Sequence, residues 1–515
     1  MSLNRHISPW GLYFTAIGSI IGSGWLLAPY YTAKLAGPMA IVAWLLAVVI
    51  IILVALTFAE ISTKYPVSGG IVRLIQLTHG PSMSMLIGWT SWASLVMIPA
   101  IEVQASLQYC SHFFPQLIFH SNDHVTLFGF LVAAILMGLF VVVNSIGIKF
   151  VTLVNNYIGW WKIIIPVFIS LLLLFLHFDP QNFSNSIAHP YPSFKDTLMS
   201  IATGGVIFAY VGFRSVIELA GEARNPQRDI PRTIIFALLT CALIYILLQI
   251  AFIGALDPKY LQHGWGRLSF IDKAGPLVNV VTSLGISWIL LILYFDAVAS
   301  PSGTSLIATA TTSRVTYSMA IAGYLPKLFS KTNNANVPIY AILINYVVGL
   351  LFFLPFSGWQ GMISFLVSTS VLAYALGPIV LMAMRLQKEH TATHFKLPFA
   401  KIMCPVIFYL CTLIIYWTGW NNVWKLGILI FSGLIIITLT SLTNKTKNNL
   451  FHLRHTSWML FYLAALMVVS YLGHFGGKAI LGFGIDFLVL AAISIITYWY
   501  ALENRLPEVF EIEIN

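Results

Sequence analysis

The sequence predicts an all-α polytopic membrane protein, on three observations. Hydrophobic residues make up 58% of the 515 positions and charged residues only 9%, where a soluble domain carries about 25% charged residues. The apolar residues gather into fourteen runs, each near or above the roughly 20 residues that a helix needs to cross a bilayer. No run alternates like a strand, and no stretch between runs is large enough for a separate soluble domain.

In chain order the runs lie at 10–33, 37–62, 83–113, 125–147, 152–178, 196–222, 232–256, 277–309, 338–355, 360–386, 402–419, 422–442, 457–475 and 479–501. Only Gly419-Trp420-Asn421-Asn422 divides spans 11 and 12. With the amino terminus inside, the inner loops and tails hold eighteen Lys and Arg residues, and the outer loops hold seven (Lys34, Lys195, Lys259, Arg267, Lys273, Lys425, Lys478). The positive-inside rule then predicts a multi-pass protein of the cell inner (plasma) membrane with both termini cytoplasmic. Lys162 and Arg214 are left at membrane depth. The longest loops, about 178–195 and 257–276, fall outside, and the acidic tail after Asn504 is expected to be solvated and structurally unimportant.

Composition also excludes function classes. The net charge of +10 is scattered singly through short loops, with none of the basic patch or stripe that marks a nucleic-acid surface. Cys110, Cys241, Cys404 and Cys411 lie in or beside apolar runs without a C-x-x-C pair, as small buried hydrophobes do. No H-E-x-x-H or G-x-x-x-x-G-K-[ST] motif supports metal chemistry or ATP-driven pumping. The first span lacks an A-x-A-like cleavage site and is read as a retained helix. No loop gathers catalytic groups at one membrane face, so an enzyme is not expected.

Two spans are interrupted alike: Gly18-Ser19-Ile20-Ile21-Gly22-Ser23-Gly24-Trp25 in span 1, and Thr203-Gly204-Gly205 followed by Tyr210-Val211-Gly212-Phe213-Arg214 in span 6. Opened backbone at membrane depth is tolerated only where it is buried in protein or lines a polar cavity. Paired glycine-interrupted spans in corresponding positions point to a transporter's binding site. An opened span 1 leaves N–H donors at Ser23 and Gly24 and a positive helix end, a seat for a carboxylate. Gly18 and Gly22 equally satisfy a small-residue packing face. Carbonyls released near Phe208 to Val211 suit an ammonium, so the two breaks match the two ends of an amino acid.

These segments resemble the amino acid–polyamine–organocation permeases. The likeness rests on Gly22-Ser23-Gly24-Trp25, Phe208-Ala209-Tyr210-Val211-Gly212-Phe213, the run from Gly221 to Pro231, and Thr312-Ser313-Arg314-Val315-Thr316-Tyr317 with Gly323-Tyr324-Leu325-Pro326. Within the superfamily the chain looks most similar to the bacterial aspartate–proton symporter branch, through Ala36-Gly37-Pro38, Ser68-Gly69-Gly70-Ile71-Val72-Arg73, Asp296 to Gly303 and Tyr416-Trp417-Thr418-Gly419-Trp420. The resemblance implies a leucine-transporter-type 5+5 inverted repeat with helices 1 and 6 unwound. Residues 1–180 would form the first repeat, 190–388 the second, 400–503 four additional helices and 504–515 a cytoplasmic tail. It further implies that Ser23 and Gly24 hold the substrate carboxylate, that Ile20, Phe208 and Val211 offer carbonyls to the amine, and that the Phe208 ring is a gate. Trp25 stands where a small aliphatic residue is usual; its ring is expected either to narrow the cavity or to face lipid.

Lys162, Arg214, Glu102 and Asp296 are read as lying deep in the membrane, away from the span ends, and at that depth each is a functional candidate. Lys162 in span 5 can switch protonation when desolvated, and in proton-coupled relatives a matching lysine replaces a sodium ion between helices 1, 5 and 8; the alternative is snorkelling to the interface. Arg214 either clamps a second substrate carboxylate or pairs with Glu218, Glu102 or Asp296. Glu102 in span 3 and Asp296 in span 8 are proton relays or counter-charges. Ser300, Ser302 and Thr304 surround Pro301 in a stretch of span 8 read as broken, where they line the Lys162 site or satisfy the backbone that Pro301 frees. Glu60, Glu218 and Glu222, near helix ends, are expected to be structural. Together these readings predict a secondary active transporter with protons as coupling ion and no other cofactor. Acidic amino acids are the expected substrates; an exchanger, or a symporter of small neutral amino acids, is the alternative.

Overall fold

A computed structural model describes residues 7–66, 70–119, 123–146, 148–184, 191–270, 275–387, 395–443 and 456–508, with backbone alone at 148–157, 437 and 439–443. Ser68 and Gly69 of the quoted motifs and Glu511 and Glu513 of the tail lie outside the described residues. The described elements are helices, and ten of them are long and apolar enough to cross a membrane, with three shorter apolar helices beside them. This is an all-α polytopic membrane fold.

Span 1 is two helices, α1 (Pro9–Ile20) and α2 (Gly24–Ala36), and span 2 is α3 (Ala40–Lys64). Span 3 is α4 (Gly70–Cys110), bent at Gly80, whose φ of 75° and ψ of −177° set a short first segment apart from the crossing part. Spans 4 and 5 are α5 (Leu127–Ile146) and α6 (Ile148–Leu176). Span 6 is α7 (Phe194–Thr203), a 3₁₀ stretch Phe208–Phe213 and the short α8 (Arg214–Glu218), so both predicted interruptions are present. Span 7 is α9 (Pro226–Gly254).

Span 8 differs from its predicted 277–309. The apolar start is a separate helix, α10 (Pro276–Ser283), ended by a turn in which Gly285 takes a φ of 73°, and the crossing helix α11 runs from Trp288 to Ile321. Its second half is rich in Ala, Thr and Ser, which lowers hydropathy, yet Thr304 to Ser313 are buried against neighbouring helices. Arg314, assigned by sequence to a loop, therefore belongs to the end of α11 and reaches Glu222 at 3.4 Å. The predicted break at Pro301 is absent, since α11 is continuous. A proline removes the N–H that would bond the carbonyl four residues earlier; here that carbonyl, Ala297, accepts from the Ser106 hydroxyl at 2.9 Å.

Spans 9 to 14 are α12 (Ile339–Leu351), α13 (Gly358–Leu386), α14 (Ala400–Trp417), α15 (Trp420–Thr443), α16 (Ser457–Leu472) and α17 (Ile485–Glu503). α13 is the most enclosed of the long helices, its most apolar stretch wholly buried. Glu60 on α3 takes the Arg385 guanidinium at 2.9 and 2.6 Å and the Leu397 amide at 2.6 Å, a structural role as expected. All four cysteines are free thiols, three of them buried.

Both ends of the described chain dock on one face. Ile7 bridges the segment after span 6, donating to the Glu222 carbonyl at 3.0 Å and accepting from the Arg224 amide at 3.1 Å. The expectation of an idle tail is corrected at its start: the Leu506 amide donates to the Thr78 carbonyl at 2.8 Å, and Gln387 Nε2 donates to the carbonyls of Leu506 at 2.9 Å and Glu508 at 3.2 Å. Thr78 lies just before the bend at Gly80, where a helix ends with carbonyls left over.

Candidate functional site

The two breaks meet at the centre of the molecule. α1 stops at Ile20, and the Ile21 amide makes the last bond of its ladder, to the Ile17 carbonyl at 2.9 Å. Gly18 is then the first carbonyl without an intrahelical donor. Lys162 Nζ donates to it at 2.7 Å and to Thr304 Oγ1 at 2.7 Å, and Thr304 Oγ1 lies 3.0 Å from the same carbonyl and 3.2 Å from that of Ile21. Lys162 is fully buried, so snorkelling is ruled out. Helices of spans 1, 5 and 8 thus converge on one ammonium. Ser300 and Ser302 are not its partners: the Ser300 hydroxyl is buried without a hydrogen bond among the described residues, and Ser302 is half-buried. One turn along the unbroken α11, Thr304 takes the position instead.

On the other side of the break, the Ser23 amide donates to Glu102 Oε2 at 2.6 Å. The predicted carboxylate seat is therefore filled by a carboxylate of this chain. Gly22 makes the approach feasible, because a Cβ there would lie 2.5 Å from Glu102 Oε1 and 2.8 Å from Thr304 Oγ1. Ser23 Oγ accepts from the Trp359 indole at 2.8 Å. Gly24 faces span 6, where a Cβ would stand 3.2 Å from that of Ala209.

The breaks touch at Gly212, where a Cβ would lie 2.3 Å from both the carbonyl carbon and oxygen of Ser19. The carbonyls expected for an amine already carry donors: Tyr245 Oη donates to Ile20 at 3.1 Å, and Tyr374 Oη to Val211 at 3.0 Å. A carbonyl has two lone pairs, so Ile20 keeps one acceptor position, whereas Val211, which also accepts from the Arg214 amide, has both filled. Between the breaks lies a narrow cavity of about 30 Å³ lined by Ser19, Ile20, Glu102, Phe208, Val211, Gly212, Arg214, Glu218 and Thr304, among others. That volume holds about two water molecules, so a larger solute enters only when the lining moves apart. The Ser19 hydroxyl on this wall is buried and has no hydrogen-bond partner among the described residues.

Arg214 lines the cavity and is 3% exposed. Its Nε donates to Glu218 Oε1 at 2.9 Å, and its terminal nitrogens reach the Ser91 and Ser94 hydroxyls at 2.7 and 3.4 Å. Of its predicted partners, then, Glu218 is the one it meets, while the cavity side of the guanidinium also faces the site. The Trp25 expectation is corrected on both counts. The ring is fully buried, does not line the cavity, and donates through Nε1 to Asp296 Oδ2 at 2.9 Å. Trp161 Nε1 donates to Asp296 Oδ1 at 2.5 Å. Asp296 thus ties the second half of span 1 to spans 5 and 8.

Toward the face away from the termini, Phe208 meets Trp359 edge-on at 5.6 Å, and Trp359 stacks on Tyr31 at 5.5 Å. Above Tyr31 opens a vestibule of about 640 Å³. Thr304 lines the Lys162 site as expected, whereas Trp359, Ser19, Tyr245 and Tyr374 were not singled out from the sequence. Nothing local marks the aromatic three, which are ordinary tryptophan and tyrosine in apolar runs; Ser19 stands inside the first interrupted motif.

The sequence profile of the amino acid permeases matches residues 7–441, spanning both breaks and the whole central cavity. The chain belongs to the amino acid permease family. The permease is 33% identical over 512 residues to the glutamate/serine transporter AimA of Bacillus subtilis, covering 98% of this chain and 94% of that protein. It is 32% identical over 511 residues to the aspartate-proton symporter of the same organism, covering 98% of each. A methylthioribose transporter of that organism is 28% identical over 436 residues, 79% of this chain and 86% of that protein. The permease is an amino-acid transporter of the amino acid–polyamine–organocation superfamily, embedded in a membrane by many spans, and not an enzyme.

Proposed function

We propose that the permease is a proton-coupled symporter of acidic amino acids working by alternating access, with protons as its coupling ion. The observation that carries this reading is the Glu102 carboxylate on the Ser23 amide at 2.6 Å, beside Lys162 on the Gly18 carbonyl at 2.7 Å. The Ser23 and Gly24 donors are the seat for a substrate carboxylate, and two carboxylates do not share it. A carboxylate accepts a charge-assisted bond about twice as strong as a neutral one, so a proton arriving on Glu102 weakens its hold and frees the seat. Proton and substrate then load together. Lys162, by holding the open end of α1 to Thr304, carries the second protonation-dependent tie. Asp296, between two indoles, serves as a positioning counter-charge.

The acidic preference is supported by Arg214 on the cavity wall and by relatives that are a glutamate/serine transporter and an aspartate-proton symporter. Ile20 retains acceptor capacity for the ammonium, and Phe208 gates the site under Trp359. The alternative of small neutral substrates has one observation in its favour, the Arg214–Glu218 pair, which neutralises the guanidinium. The excess of basic residues on the face that holds the termini supports a cytoplasmic assignment for that face, in a plasma membrane. Repeats at 1–180 and 190–388, with helices 11 to 14 added, remain the organisation we infer.

The test is uptake of labelled aspartate into proteoliposomes under an imposed pH gradient, competed with a panel of amino acids. Aspartate and glutamate are expected to compete best, and a Lys162→Ala variant is expected to keep counterflow but lose pH-driven accumulation. Strong competition by leucine or arginine without aspartate would overturn the substrate reading, and unchanged pH-driven accumulation in the variant would overturn the role of Lys162.

A further inference from the structure

The vestibule on the face away from the termini is polar, wide and set apart from the central cavity by the Phe208–Trp359–Tyr31 stack. Among the described residues that line it, the charged side chains are Lys34, Lys425 and Asp123. Lys34 comes from the last turn of α2 and Lys425 from the second turn of α15, so an added helix outside the two broken spans contributes to this wall. Among the described residues neither ammonium has a carboxylate within ion-pair distance. Each lies over aromatic rings instead: Lys34 Nζ is 5.7 Å from the Tyr30 centroid, and Lys425 Nζ is 4.9 Å from that of Phe356 and 5.9 Å from that of Trp424.

A cation over a ring is attracted to its face but keeps its charge available to the water in front of it. Two such cations against one carboxylate give the walls a positive potential, and low-dielectric walls around a cleft focus that field and raise the local concentration of the opposite ion. The amides of Gln360 and Asn421 line the same space and supply donors without adding charge. Tyr31 belongs both to the vestibule and to the stack over Phe208, so a solute held here stands on the lid of the central cavity.

The geometry points to an anion-recruiting antechamber in which Lys34 and Lys425 gather amino acids bearing a side-chain carboxylate before the aromatic lid opens. This rests on the proposal that acidic amino acids are carried, and it adds residues outside the breaks that select them.

The experiment uses the full-length permease in proteoliposomes, with labelled aspartate and labelled serine as separate probes supplied on the vestibule side at low and high ionic strength. In Lys34→Ala, Lys425→Ala and the double variant, KM for aspartate at low salt is expected to rise about threefold per lysine with the maximum rate unchanged. The difference should shrink at high salt, because exposed charges are screened. Serine uptake should not change, and Lys425→Arg should behave as the parent. An unaltered aspartate KM in the double variant overturns the inference, as does an equal rise for serine, which would mark the lysines as rim packing. If the parent protein carries serine but not aspartate, the acidic-substrate proposal fails on its own. Competition of serine uptake by external aspartate then decides the antechamber: salt-sensitive competition lost in the double variant supports it, and competition that is absent or indifferent to the lysines overturns it.

Discussion

The Glu102 carboxylate accepts the Ser23 backbone amide at 2.6 Å across 79 residues of sequence. The N-terminal end of a half-helix, which offers donors and a positive dipole to an anion, is thereby occupied by the protein's own acid. Glu102→Gln keeps the shape but removes the charge, so the seat should be held less firmly. The sign follows from linkage: in the parent protein, substrate affinity should rise as pH falls, because protonation neutralises the competitor. In Glu102→Gln the affinity should be high and nearly independent of pH, with counterflow retained and pH-driven accumulation lost. Binding measured across acidic to neutral pH checks this.

Gly212→Ala should be poorly tolerated. Its Cβ would fall 2.3 Å from the Ser19 carbonyl, and the obstacle is backbone rather than a flexible side-chain tip. Overpacking of this kind costs about 1–3 kcal/mol or more. A lowered thermal midpoint in detergent, with loss of transport, is expected.

Arg214 and Glu218 are both buried and joined at 2.9 Å. Removing one partner of a buried pair costs about 3–5 kcal/mol, since the other charge is stranded. Arg214→Ala should therefore destabilise the permease more than the Arg214→Ala/Glu218→Ala double variant. Glu218→Gln should free the guanidinium and lower KM for aspartate relative to serine. Thermal midpoints and competition uptake test the two halves.

Trp25→Phe keeps an aromatic ring and deletes the bond to Asp296 at 2.9 Å. If the ring positions the second half of span 1, the maximum transport rate should fall while the ranking of substrates by size stays as in the parent. A cavity-narrowing ring would instead admit larger amino acids on truncation. Asp296→Asn should resemble Trp25→Phe in rate, because it weakens the same tie.

Ser106→Ala should leave the Ala297 carbonyl, freed by Pro301, without its donor at 2.9 Å. An unsatisfied buried acceptor costs about 1–3 kcal/mol. Truncation after Asn504 should also lower the thermal midpoint, because it removes the Leu506 bond to Thr78 and the Gln387 contacts.

Much of the fold was legible in the chain because hydropathy reports the solvent each segment meets. The failure at span 8 shows the limit. The Ala-, Thr- and Ser-rich end of α11 faces protein rather than lipid, so its burial does not need apolar side chains, and α10 is apolar although it does not cross. The interruptions at Gly22 and Gly204–Gly205 were legible because glycine density inside an apolar run is a local property. Trp25 was misread for the complementary reason: its partner is 271 residues away.

The sequence by itself determined an all-α membrane protein, two broken spans and four ionisable groups at depth, since each follows from the residues of one segment and the medium around it. Only the tertiary structure decided who meets whom. Packing brought Glu102 to the Ser23 amide, Lys162 to the Gly18 carbonyl and Thr304, Arg214 to Glu218, and Trp359 to the Ser23 hydroxyl across 336 residues. The physical reason is that a buried polar group must find a partner, and which partner it finds depends on the packing of helices far apart in the chain.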